Sequence, residues 1–328
     1  MFKRRPKMGL KDWAVVATLL FADGRPLSGP RLSFVDGVWV DQSLTLKPTF
    51  KEIVENEYKA ASNHADILNK GDEVREELNA WAEKETNGLI KDLLPPLSVD
   101  SSTRLILANA LYFKGAWKER FEKSLTEDDD FFLSNGNSVR VPFMSSWERQ
   151  SMSAFDGFKV LRLPYEQGDD NRRFSMYMYL PDTRDGLPAL VEKFGSVFGF
   201  IQNHLPGLWV RVGDFRVPKF RINFGFEATK VLQGQGLVLP FSSGGLTEMV
   251  ENEGLKISDF FHKSCIEVDE QGTEAAAASA CLVEEDCDGY ESEEEVVDFV
   301  ADHPFLFVVR EDVSGAVLFV GQVLDPKG

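Results

Sequence analysis

Cysteine is scarce in this chain of 328 residues, which holds only Cys265, Cys281 and Cys287. An odd count in so long a polypeptide excludes a disulfide framework and fits reduced thiols in an intracellular setting. Histidine is hardly more frequent, with His64, His204, His262 and His303 scattered along the chain. None of them stands in a metal-ligand or catalytic spacing. There is no His-Glu-x-x-His, no Gly-x-Ser-x-Gly elbow, no phosphate-binding glycine loop and no Cys-x-x-Cys pair, so nothing recommends an enzyme, and no cofactor or metal is implied. No Asn-x-Ser/Thr glycan acceptor is present, and no apolar run approaches the length of a membrane span. Basic charge is also short, with 36 Lys and Arg against 53 Asp and Glu for a net charge of −17. That balance argues against nucleic-acid and anionic-membrane partners, because both need clustered cations.

What the chain does have is material for a core. Hydrophobic residues make up 43% of it and 26 residues are Phe, a composition that excludes disorder and suits two average domains or one large α+β domain. At the start, Lys3, Arg4, Arg5 and Lys7 precede an apolar stretch from Trp13 to Ala22. Lys11 and Asp12 abut that stretch, and no clear small-x-small cleavage site follows it. An amphipathic helix over about 10–21, ended by Asp23-Gly24 and Pro26, is therefore expected in place of a signal peptide. A cytosolic location follows as the favoured one.

Strand patterns dominate the rest. Residues 32–40 read as a first strand, and Asp72 as the cap of a helix over 73–85 whose face carries Val74, Leu78, Trp81 and Ala82. Residues 104–113 are apolar at nearly every position except Asn109, as a strand buried on both faces requires. Further strands are expected at 160–164 and 174–180, as a hairpin, and through the alternating stretch 209–224. A short helix then stops at Gly234 and Gly236, and a closing hairpin pairs 304–309 with 316–323.

One stretch stands apart. Between Ser264 and Val309 there is no Lys or Arg, yet there are fourteen Asp or Glu. Within it Gly272, Thr273 and Glu274 lead into Ala275, Ala276, Ala277 and Ala278, and a dense acidic run follows. By composition alone this is an exposed connection between two patterned regions, either a solvated loop or a linker.

Three segments resemble the serpin family. Asn109-Ala110-Leu111-Tyr112-Phe113-Lys114-Gly115-Ala116-Trp117 is similar to the third strand of that family's main sheet. Glu270-Gln271-Gly272-Thr273-Glu274 followed by the alanines is similar to the hinge of its inhibitory members. Phe299-Val300-Ala301-Asp302-His303-Pro304-Phe305-Leu306-Phe307 is similar to its C-terminal signature, in the wording of plant members. The resemblance implies an α+β serpin fold, one domain over 1–328 with three β-sheets, surrounding helices and an exposed reactive-centre loop at about 270–298. It implies an inhibitor that acts as a suicide substrate. A target endopeptidase cuts the loop, and the cut loop enters the central sheet as an extra strand, dragging the protease with it. A single copy is expected to suffice, and the family leaves an extracellular location open beside the cytosolic one.

The residues of the hinge fit that mechanism on their own terms. A strand entering a packed sheet sends alternate side chains into a dense interior, where surplus volume is costly. Counted from Thr273, one face carries Ala275, Ala277, Ser279, Cys281 and Val283, all small or medium and uncharged, and Gly272 frees the loop to swing. An alanine run also favours a helix, which an uncleaved exposed loop tolerates. By resemblance, Trp117, Lys219 and Glu270 form the breach where the loop first enters, with Glu270 paired to Lys219. Asn109 and His262 form the shutter beneath the sheet centre, and helix 73–85 is the one that lies across the sheet and must yield.

By resemblance, counting along the family's loop from Glu270 puts the scissile bond between Asp286 and Cys287, preceded by Val283, Glu284 and Glu285. A carboxylate at that position needs a cationic protease pocket, so an enzyme cutting after Asp is expected, of the serine or cysteine type. Nine acids lie from Glu284 to Asp298, so Asp286 also reads as one member of a solvated run. Family members begin with several helices ahead of residue 1 of this sequence, so a serpin lacking its N-terminal helices is expected. That leaves two further readings: a non-inhibitory binding or storage protein of the same fold, and a non-functional truncated serpin.

Overall fold

The structure is a computed structural model, and residues 29–56, 61–86, 88–251, 257, 260–273 and 296–328 are described from it. The helix expected over 10–21 lies outside them, as do Glu274, the alanine tract and residues 283–287. The chain opens with β1 (Arg31–Asp41), α1 (Pro48–Asn56), β2 (Ala61–Ala65) and α2 (Gly71–Glu85), followed by the long β3 (Leu105–Ala116). Next come β4 (Glu127–Phe132), β5 (Ser138–Met144), β6 (Gln150–Phe155), β7 (Phe158–Pro164) and β8 (Phe174–Pro181). Two helices, α3 (Leu187–Ser196) and α4 (Phe200–Asn203), precede β9 (Trp209–Val210), β10 (Val212–Pro218), β11 (Phe220–Glu227) and α5 (Thr229–Gly234). The chain closes with β12 (Phe261–Asp269), β13 (Gly272–Thr273), β14 (Val297–Val300), β15 (Phe305–Glu311) and β16 (Val317–Val323).

These strands form three sheets, so the α+β class is that expected. Their orders are β11-β12-β13-β3-β1-β2, β14-β10-β5-β4 and β16-β15-β8-β7-β6-β9. The described chain divides into two compact units interleaved along the sequence. One takes Leu32–Tyr112 and Asn223–Cys265, the other Phe113–Ile222 and Ile266–Gly328.

In the first unit, β1 pairs parallel with β2, and Ala108–Tyr112 of β3 pairs parallel with Phe261–Cys265 of β12. Alternate residues of each strand part between two cores. Trp39, Ile106, Ala108 and Cys265 pack with Val74, Leu78 and Ala82 of α2. Val38, Val40 and Leu105 pack instead with Leu46, Val54, Leu246 and Val250. Burial on both faces is why β3 reads as a continuous apolar run. Helix α2 starts at Gly71, not after an Asp72 cap: Lys70 precedes it without a side-chain cap bond, and Asp72 and Glu73 sit in the first turn against the macrodipole. Glycine fits there because a Cβ would lie 3.0 Å from the Val99 carbonyl oxygen.

In the second unit, Phe158, Val160, Tyr177, Tyr179, Leu306 and Val308 line one face of the β7-β8-β15 strands beneath Leu187, Leu190 and Phe200 of α3 and α4. The closing hairpin pairs Phe305 with Val323 through Val309 with Phe319. The stretch 209–224, expected as a strand-pair region, holds β9, β10 and the start of β11, with Lys219 between the last two. A hairpin the sequence did not announce, β4 with β5, pairs Asp129 with Val141 and Phe131 with Val139.

Candidate functional site

The site grows from the ends of β3 and β12 in the second unit. Strand β12 stops at Asp269, whose carboxylate Oδ1 accepts the N–H groups of Gln271 (2.8 Å) and Gly272 (3.2 Å), turning the chain back on itself. Trp117, one residue past β3, locks that turn. Its backbone N–H donates to the Gln271 carbonyl and its indole N–H to the Asp269 carbonyl, both at 2.9 Å. The Phe121 N–H takes the Glu270 carbonyl at 3.0 Å. Every carbonyl of the turn from Asp269 to Gln271 is thereby held.

Glu270 at the apex is only 4% exposed. Its carboxylate accepts from Lys219 Nζ at 2.8 Å and from the Thr126 hydroxyl at 3.0 Å. Burial alone would push this carboxyl up. The Lys219 and Thr126 hydrogen bonds outweigh that and hold it below the usual glutamate range. Lys219 is placed by the end of β10, where its N–H bonds the Pro142 carbonyl. The structure thus brings Trp117, Lys219 and Glu270 together.

From this turn Gly272 and Thr273 run as β13 between β12 and β3, antiparallel to both: Gly272 faces Asp269 and Ala116, Thr273 faces Val268 and Gly115. Gly272 has a φ of +151°, and a Cβ on it would lie 2.0 Å from the Gly115 oxygen, so only glycine fits. Thr273 is fully buried, and its hydroxyl meets the Tyr165 hydroxyl at 2.6 Å. Tyr165 in turn stacks on Trp117, with centroids 4.6 Å apart, and meets the edge of Phe113 at 4.8 Å. Burial pushes the Tyr165 phenol far up, so it stays neutral and keeps its proton for this bond.

Sequence reading named Trp117, Lys219, Glu270, Gly272 and Thr273 but missed Tyr165, Thr126 and Phe121. Tyr165, one residue past β7, carried no sequence signal of its bond to Thr273. Thr126 and Phe121 carried none, since their contacts with the turn span more than a hundred residues of chain. The other predicted pair, Asn109 and His262, lies in the first unit as register partners of the β3–β12 ladder. The Asn109 side chain is not among the described ones. His262 is half-buried and edge-on to Phe226, with ring centroids 5.9 Å apart, and burial lowers its pKa so that the neutral ring is favoured. Among the described residues no group of three or more His, Cys, Asp or Glu is placed to hold a metal. No described helix is long and apolar enough to cross a membrane.

Gly272 and Thr273 are thus held between β12 and β3, directly ahead of the alanine tract in the sequence. The model of the family Serpin (serine protease inhibitor) matches residues 13–326, and the chain belongs to that family. It is 55% identical to Serpin-ZX of Arabidopsis thaliana over 95% of this chain and 80% of the relative. Serpin-ZXA of Oryza sativa subsp. japonica is 51% identical over 94% of this chain and 78% of its own length. Among solved structures, Arabidopsis AtSerpin1 in its native stressed conformation superposes with a TM-score of 0.85 at 52% identity, covering 95% of this chain and 80% of that one. The family is one of protease inhibitors, with proteases as partners. This corrects the expectation of no enzyme, which rested on missing catalytic motifs alone and named no activity. The family match instead makes the chain a member of a family of protease inhibitors, a positive assignment that absent motifs had no means of making.

Proposed function

We propose that this protein inhibits, as a suicide substrate, an endopeptidase that cuts after aspartate, with Asp286–Cys287 as the reactive bond and Val283, Glu284 and Glu285 filling the preceding subsites. The protease nucleophile attacks the Asp286 carbonyl and the peptide C–N bond breaks. Cys287 leaves as a new amino terminus, and the enzyme stays joined to Asp286 as an ester, or as a thioester for a cysteine enzyme. The freed strand then slides between β3 and β12, parting the ladder of Ala108–Tyr112 with Phe261–Cys265 and displacing α2 from its face.

The observation that supports this reading best is the seat of Thr273. It is buried and antiparallel to both neighbours, and on insertion the residues that would follow it inward by alternation are Ala275, Ala277, Ser279, Cys281 and Val283. Each is small enough to enter a packed sheet, whereas a larger or charged residue would be excluded. By the same alternation Glu274 and Glu284 would face outward on insertion, where a charge stays solvated. Breach, hinge and shutter are the roles assigned to Trp117, Lys219 and Glu270, to Gly272 through Ala278, and to Asn109 and His262. A relative 52% identical has been solved in a native stressed conformation, the kind of ground state from which insertion releases strain. The scarce cysteines and missing glycan acceptors support a cytosolic inhibitor.

The test is incubation with an Asp-cleaving caspase-like subtilase followed by denaturing electrophoresis and mass spectrometry. The expected result is a complex that survives boiling and a released peptide beginning at Cys287. Plain cleavage without a complex would point to the non-inhibitory reading, and a peptide beginning elsewhere would move the reactive bond.

A further inference from the structure

Thr273 is tied into its sheet by a side chain that belongs to another one. Tyr165 lies one residue past β7, and the backbone around it is fixed on both sides. The Glu166 N–H donates to the Ala116 carbonyl at 2.8 Å and the Lys118 N–H to the Pro164 carbonyl at 2.9 Å. The Tyr165 N–H donates to the Phe174 carbonyl at 3.0 Å. The ring is therefore placed before any side chain of the loop arrives, stacked on Trp117 with Phe113 edge-on. Gly115 leaves it room, because a Cβ there would lie 2.7 Å from the ring. The Tyr165 and Thr273 hydroxyls are both buried and meet at 2.6 Å, so losing either leaves the other unpaired at a cost.

What this bond does follows from the chemistry of the cut loop. The ester that joins the enzyme to Asp286 is also an ordinary protease intermediate, which water hydrolyses unless the strand moves first. Trapping is then a race between insertion and hydrolysis. Insertion begins at β13, which has two residues. Ordering so short a strand costs backbone entropy that a few ladder bonds barely offset. A buried side-chain bond at Thr273 tips that balance toward the paired state.

We propose that Tyr165 is a positioning residue for trapping: its hydroxyl keeps Thr273 paired between β12 and β3 while the loop is whole, so that insertion starts from a strand already begun and outruns hydrolysis. The role rests on the inhibitory reading above and adds to it the residue that governs how cut loops divide between trapping and release.

Tyr165→Phe keeps the ring and its stack and removes only the hydroxyl. In the uncut protein, hydrogen exchange should become at least about tenfold faster at Gly272 and Thr273 and stay unchanged in the β15–β16 hairpin. With an Asp-cleaving caspase-like subtilase, the number of inhibitor molecules cleaved per protease trapped should rise at least about threefold. That ratio counts only loops already cut, so a slower encounter does not move it. Thr273→Val should match Tyr165→Phe, and the double variant should be no worse than either alone. Thr273→Ser, which keeps a hydroxyl, should recover most of the difference. Unchanged exchange at Gly272 and Thr273, or an unchanged ratio, in Tyr165→Phe would overturn the role. So would additive effects of the two substitutions, the mark of separate packing losses. If the unaltered chain is cut without trapping any protease, the inhibitory reading falls and this role with it. Trapping that Tyr165→Phe leaves untouched removes the role alone.

Discussion

At the scale of single residues, the site turns on one carboxylate. Glu270 is buried, and two donors from distant strands make that burial tolerable: Lys219 and Thr126. Lys219→Ala is expected to destabilise the protein by about 1–3 kcal/mol, because it strips a buried anion of its main donor. Chemical denaturation at neutral pH measures this. The acid response follows from the lowered Glu270 pKa. The stabilisation is present above the ordinary glutamate value of about 4.3 and is lost as pH falls through the depressed folded value. Stability curves of the native chain and the variant should therefore converge on acidification below that value, and parallel curves would contradict the assignment. The resemblance supplied Lys219 and Glu270, 51 positions apart. Composition or periodicity would not have linked them, because long-range pairs leave no local pattern. Tyr165 meets Thr273 across 108 positions, and no motif flagged it.

At the scale of elements, legibility followed burial. Strand β3 announced itself because both its faces are covered, and α2 because Val74, Leu78 and Ala82 recur at helical spacing against the sheet. Strand β4 did not, since its Glu-Asp-Asp-Asp start opposes strand propensity. It is held by pairing with β5, by the buried Phe131, and by Arg216 beside Asp129. The start of α2 was misread because a close approach of Gly71 to Val99 has no local signature. Less visible still is how α2 is tied to the loop after it. The Asn79 amide donates to the Leu94 carbonyl at 3.0 Å and accepts the Leu94 N–H at 2.8 Å, all buried. Asn79→Ala should cost about 2–3 kcal/mol by leaving both backbone groups unpaired. Hydrogen exchange should show faster opening of Gly71–Glu85 than of the β7–β8 hairpin; uniform acceleration would argue against a local tie.

At the scale of the whole molecule, the claim is that this sheet is built with a place for one more strand. The first two residues of that strand, Gly272 and Thr273, are already paired on both sides. The fold class was legible because motifs from distant parts of the chain agreed. The reactive bond was reached only by counting along the loop, and an acidic run offers no second mark to check the count. Thermal unfolding after the loop is nicked by an Asp-cleaving protease tests the claim most directly. Insertion adds a fully paired, buried strand, so the nicked protein should melt at least about 10 °C above the intact one. Thr273→Arg should abolish the rise. A nicked protein that melts at or below the intact temperature would contradict the account.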